Sequence, residues 1–187
     1  MELSIVVAGS AFQPLYPGAR SVAPLLERAA ALVAESHRLG ARAGALATPL
    51  RPLLRSMNSY YTNQIEGQHT RPADIERALE KRFDADKVLA RKQRLAVAHI
   101  EAEHELEEAL ATAPRATYYA PATVARVHAA IYARLRAADR KTDLGATIVP
   151  GAWRQVVVTA GRHVAPAPAD VPRYLEVWSA QYSALPG

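Results

Sequence analysis

The chain has 187 residues, half of them apolar and 22% charged, which excludes a disordered polymer and allows a buried core. It carries no cysteine, so disulfides and thiol chemistry are excluded. The formal charge of +5 suits an acidic partner such as nucleic acid, nucleotide phosphates or lipid. The basic residues alternate with acids, however, as in Glu101-Ala102-Glu103-His104-Glu105, and this reads as a solvated helical surface rather than a nucleic-acid stripe.

Residues 1–20 contain Pro14, Pro17 and Gly18 without a sustained period, and they predict an extended arm with one short strand at Leu3 to Val7. Glu2 stands where a secretory leader needs a cation, and the apolar run Ile5 to Ala8 is short for one. No stretch approaches the roughly 20 apolar residues of a membrane span, so a soluble, cytoplasmic protein is expected. Ser21 then predicts the cap of a helix with Val22, Leu25, Leu26, Ala29, Leu32 and Val33 on one face.

A second helix starts near residue 49, because Pro49 and Pro52 fit only its first turn. Its stripe runs through Leu46, Leu50, Leu53, Leu54, Met57, Tyr61 and Ile65, with Ile65 expected in the core. The last turn carries Thr62 and Glu66, four apart and therefore on one face, and Gly67 is expected to end the helix behind the acid. Thr70 to Asp74 predicts a turn into a short helix with Ile75, Leu79 and Phe83. Asp84 or Asp86 opens a long helix to about Leu110, and Pro121 opens another with Val124, Val127, His128, Ile131 and Leu135.

The pattern then changes. Ile148 to Arg154 predicts a turn and Gln155 to Thr159 a β-branched strand. Ala160-Gly161 predicts a second turn, and Arg162-His163-Val164 the returning strand of a hairpin. A last helix carries Val171, Leu175, Trp178, Tyr182 and Leu185. The expected fold is all-α: a bundle of about six helices with one short β-hairpin. Walker-type phosphate loops, nucleophile elbows, dinucleotide fingerprints and His-Glu-x-x-His are all missing from the sequence.

Thr62-Asn63-Gln64-Ile65-Glu66-Gly67 resembles the Ser/Thr-x-x-x-Glu-Gly/Asn inhibitory motif of Fic-family proteins, and Asp74 to Leu79 extends the likeness. Val127 to Ile131 resembles the first Fic-domain helix. Pro150-Gly151-Ala152-Trp153-Arg154, Val157 to Val164 and Asp170-Val171-Pro172 resemble the family's Gly-x-aromatic-Arg turn, flap hairpin and following helix. The resemblance implies an arm at 1–20, an N-terminal helical region with an inhibitory helix at 21–115, and the first part of a Fic domain at 116–187.

Fic proteins transfer AMP from ATP, with Mg²⁺, to a hydroxyl of a target protein. By resemblance, Glu66 would be the inhibitory glutamate, Thr62 would help anchor its helix and Gly67 would give room beside it. Ala160, Gly161, Arg162 and His163 would form the flap over nucleotide and target, begun by Trp153 and Arg154. Trp153 reads equally as a hydrophobic anchor of the hairpin. The family's catalytic His-x-Phe-x-Asp/Glu-Gly-Asn loop is missing: the six histidines are residues 37, 69, 99, 104, 128 and 163, and none stands in that context.

The chain is therefore expected to be a fragment or truncated relative, inactive alone, that binds ATP weakly and is completed by a further Fic segment or by self-association. Its AMP-accepting target is unknown. Two other readings stand beside this one: an antitoxin-like module that places Glu66 in another Fic protein in trans, and a basic helical nucleic-acid binder.

Overall fold

The computed structural model describes residues 18–142, 145–160 and 163–183. The expected arm with its strand at Leu3 to Val7 lies outside the described residues, apart from Gly18 and the first turn of the first helix. The described chain is mostly helical: α1 (Ala19–Ala43), α2 (Ala47–Ile65), α3 (Pro72–Leu79), α4 (Lys87–Leu110), α5 (Arg115–Tyr118), α6 (Pro121–Ala133) and α7 (Val171–Ser183). Among the described residues no helix is long and apolar enough to cross a membrane.

The helix α4 is the spine. Asp86 caps it, its carboxylate accepting from the Val88 and Leu89 amides at 2.8 Å. Its alanines are its packing surface: Ala90, Ala96, Ala98 and Ala102 are all buried, and small side chains let neighbouring helices approach closely. The helices α2, α3 and α6 each pack on α4. Ile75 of α3 meets Ala96 and Ile100 in the core, with Tyr60 of α2 against them.

Buried polar groups fasten these layers. Gln93 is fully buried; its Nε2 donates to the Asp74 carbonyl at 3.2 Å, and its Oε1 accepts from the Asp84 amide at 2.8 Å. One α4 side chain thus ties down both the α3 backbone and the loop after it. The Asp74 carboxylate is buried between Arg71 (3.0 Å) and Arg77 (2.5 Å), and the Arg71 hydrogen bond foremost holds it below the usual carboxylate range.

Farther along, Asp139 is 6% exposed and accepts from Arg94 Nε (2.7 Å) and Arg136 Nε (2.8 Å). The Arg94 guanidinium also lies over the Phe83 ring, 5.7 Å from its centroid. Tyr119 stacks on Tyr182 and meets Trp178 edge-on, which docks α7.

Three expectations change. The apolar stripe of α2 does not face the core. Leu50, Leu53, Met57 and Tyr61 are each 42–55% exposed, and Ile65 is 82% exposed. The inner face is instead Ser59 and Asn63: the Ser59 hydroxyl is satisfied by the Ala96 carbonyl of α4, and the Asn63 amide by Ser59 within α2. The α1 helix starts at Ala19 after Gly18 rather than at Ser21, and its apolar face is exposed as well.

The hairpin expected from Gln155 to Val164 is not formed at that length. Val156, Val157 and Val158 are 45–58% exposed and lie outside the strands, and Val158 reaches the returning limb through its carbonyl, which accepts from the Ala165 amide at 2.9 Å. Strand pairing reduces to Thr159↔Val164 and Ala160↔His163. β-branched residues fit a half-buried pleated surface, and the described residues leave these three valines largely uncovered.

Hydrogen bonding to Arg94 foremost, and to Arg136, lowers the Asp139 pKa to about 2. A depressed carboxylate stabilises the fold above its unfolded pKa, near 3.9, and loses that contribution as pH falls towards 2. The contribution is about 2 kcal/mol. Acid unfolding of the wild type should therefore steepen between pH 4 and pH 2. Asp139→Asn should be less stable at pH 7 and should flatten that part of the curve. An unchanged pH profile would remove Asp139 from the account.

Candidate functional site

Three residues before Thr62, Ser59 Oγ donates to the Ala96 carbonyl of α4 at 3.1 Å. Asn63 Nδ2, one turn on, donates to the Ser59 carbonyl (2.8 Å) and Ser59 Oγ (3.1 Å). The Ser59 bond ties the end of α2 to the spine, and the Asn63 bonds lock its last turn onto Ser59. The helix then closes in a Schellman arrangement: the Gln68 amide donates to the Asn63 carbonyl at 2.7 Å, and the Gly67 amide to the Gln64 carbonyl at 3.1 Å.

Gly67 adopts φ +72°, which only glycine takes without strain. Glu66 is the C-cap, its amide bonded to the Thr62 carbonyl at 3.2 Å. The side chains of Thr62 and Glu66 are exposed, and no ion pair joins Glu66 to a described residue. The result is a carboxylate on an anchored post, open to solvent.

Gln68, two residues beyond, borders a cleft of about 280 Å³ lined also by Arg91, Leu95, Tyr132, Asp139 and Ile148. On another side of the turn, Thr70 is buried with its hydroxyl unpartnered among the described residues, beside a small cleft edged by Tyr60, Gln64 and His69.

The second set of site residues begins at the turn Pro150–Gly151. The Gly151 amide donates to His128 Nδ1 at 2.9 Å, so that nitrogen is unprotonated and α6 holds the turn directly. Burial pushes the His128 pKa down, which favours the same neutral form. Gly151 has φ +78°, and a Cβ there would lie 3.3 Å from Ala129 Cβ and 3.5 Å from the Ala125 carbonyl.

Trp153 is half-buried, and its carbonyl accepts from Gln155 Nε2 at 3.1 Å. Arg154 donates to the Val156 carbonyl at 2.7 Å and also to the Pro166 carbonyl. It thereby bridges the outgoing and returning limbs of the segment, a role the sequence alone did not disclose. Gly161 and Arg162 lie outside the described residues. Ala160 and His163 are described as backbone only, in the two-residue ladder.

The fold therefore joins two of the separately recognised segments, His128 of α6 and the Gly151 turn, by a hydrogen bond. It does not bring Glu66 to the other set: no hydrogen bond or ion pair links Glu66 to the described part of residues 153–164. Ser59, Asn63 and Gln93 escaped sequence reasoning. An i, i+4 Ser-Asn pair opposite an apolar stripe was the available signal. Comparison with protein-family models, curated proteins and solved structures gave no match.

Gly67 and Gly151, both at positive φ, should respond differently. A Cβ at Gly67 meets nothing within 4 Å, so Gly67→Ala carries only the conformational cost of about 1 kcal/mol and should lower Tm by roughly 2–4 °C. Gly151→Ala adds crowding against α6 and should lower Tm further. Thermal unfolding by circular dichroism ranks the two, and equal losses would contradict the packed turn.

Proposed function

We propose that this chain is the regulatory and flap-bearing part of a Fic-type protein adenylyltransferase, inactive by itself and acting in the cytoplasm. The observation that carries the reading is the anchored, exposed and unpaired Glu66 at the Schellman end of α2. A carboxylate held this way can enter an anion site and take a bidentate arginine that would otherwise bind a phosphate. Fixing the post beforehand avoids ordering a loop at the moment of binding.

Under this reading the chemistry of AMP transfer lies in a Fic catalytic loop, which the 187 residues do not contain. By the family resemblance, Mg²⁺ and the ATP phosphates would be held by that loop. This chain supplies the regulator, with Glu66 as the competing anion, Thr62 in the helical turn beneath it and Gly67 closing the post. It also supplies the segment from Trp153 and Arg154 through Ala160, Gly161, Arg162 and His163, which would cover nucleotide and target. Arg154 serves there as a staple between the limbs. The protein substrate is some hydroxyl-bearing partner.

The test is to supply a Fic catalytic segment, fused in cis or added in trans, and to measure AMP incorporation from labelled ATP. Glu66→Gly should raise incorporation roughly tenfold to a hundredfold, the weight of one charge-assisted pair. An effect in trans that survives deletion of residues 153–164 would favour the antitoxin-like module instead. No rise with Glu66→Gly in either format would defeat the inhibitory role.

A further inference from the structure

Helix α1 extends for 25 residues, about 37 Å, and from Ser21 to Arg42 every residue except Val22 is exposed. A lone helix in water is held mainly by packing of its apolar face. Here Leu25, Leu32 and Leu39 are 49%, 72% and 70% exposed, so that face lacks a partner among the described residues.

Its sequence says what fits. The three leucines recur every seven residues, and the positions three or four away are small: Val22, Ala29 and Ser36. Leucine in one core position of a heptad and small residues in the other is a seam for close helix pairing. Antiparallel overlap sets Ala29 against the partner's Leu32 and Ser36 against the partner's Leu25. The same overlap places Arg28 opposite the partner's Glu35 at both ends of the dyad. Attraction at both flanks makes α1 complementary to itself under two-fold symmetry. In this chain Glu35 rests on Arg38 at 2.7 Å, an exposed pair that an interhelical arginine can join.

We infer that α1 is a self-association surface: two copies of this chain pair α1 against α1, antiparallel, with the leucine heptad as seam and Arg28–Glu35 as reciprocal flanks. Light scattering across a dilution series of the full chain should give about twice the 20.3 kDa chain mass at high concentration. The α1 helix lies outside the core, so Leu32→Asp should give single-chain mass while leaving the cooperative unfolding of the α2–α7 body in place. A single-chain mass for the wild type at every concentration overturns the proposal.

Arg28→Glu and Glu35→Arg should each weaken the dimer by roughly tenfold, because like charges then meet at both flanks. Combining them should restore the wild-type dissociation constant. A parallel pair puts Arg28 beside the partner's Val33 instead, so a double variant no tighter than the single ones also overturns the proposal.

Discussion

A short polar contact sets the arrangement of the N-terminal half: Ser59 Oγ on the Ala96 carbonyl of α4, backed by Asn63. A buried hydroxyl and amide are costly unless satisfied, and these satisfy one another and a backbone carbonyl at once. Because the contact uses the polar edge of α2, it decides which way that helix is turned. The apolar stripe then points outward, and the last turn ends beside the spine with its carboxylate free. Rotating α2 by half a turn would turn Met57 and Tyr61 inward but break the Ser59 bond to the Ala96 carbonyl.

The rest of the body follows the same logic of polar fasteners over a thin alanine core. Gln93 holds α3 by its backbone, Asp74 gathers two arginines, and Asp139 gathers two more. Few large apolar side chains are buried deeply, with Ile75 the largest of the fully buried ones. Specificity of packing therefore rests on hydrogen-bond geometry as much as on volume. Gln93 joins α4 to the α3 backbone and to the loop at Asp84, and Asp139 joins α4 to the turn at residues 136–139.

Helix existence was legible from period and punctuation. Leu110 as the end of α4 and Pro121 at the start of α6 stand where the pattern placed them, and the cap of α4 is Asp86, one of the two acids the pattern offered. Orientation was not. The hydrophobic period marks a face, but it cannot say whether that face meets this chain or something beyond it, and for α1 and α2 the described chain leaves it uncovered. The strand estimate failed for a related reason. Val156 to Val158 have the propensity, yet propensity in a largely uncovered segment forms only the two-residue ladder at Thr159–Ala160 and His163–Val164. The site was half legible: Glu66-Gly67 as a helix end was visible, whereas the anchors beneath it and the Arg154 staple depend on partners 37 and 12 residues away.

The central claim is that Glu66 stands on a post made rigid by the Ser59–Asn63 anchor. Amide hydrogen exchange at Gln68 reads this directly, because its N–H bond to the Asn63 carbonyl closes the post. Gln68 should be protected in the wild type and should exchange markedly faster in Asn63→Ala, with Ile100 on the spine still protected. A Gln68 amide that exchanges in the wild type as fast as an unstructured peptide would contradict the account.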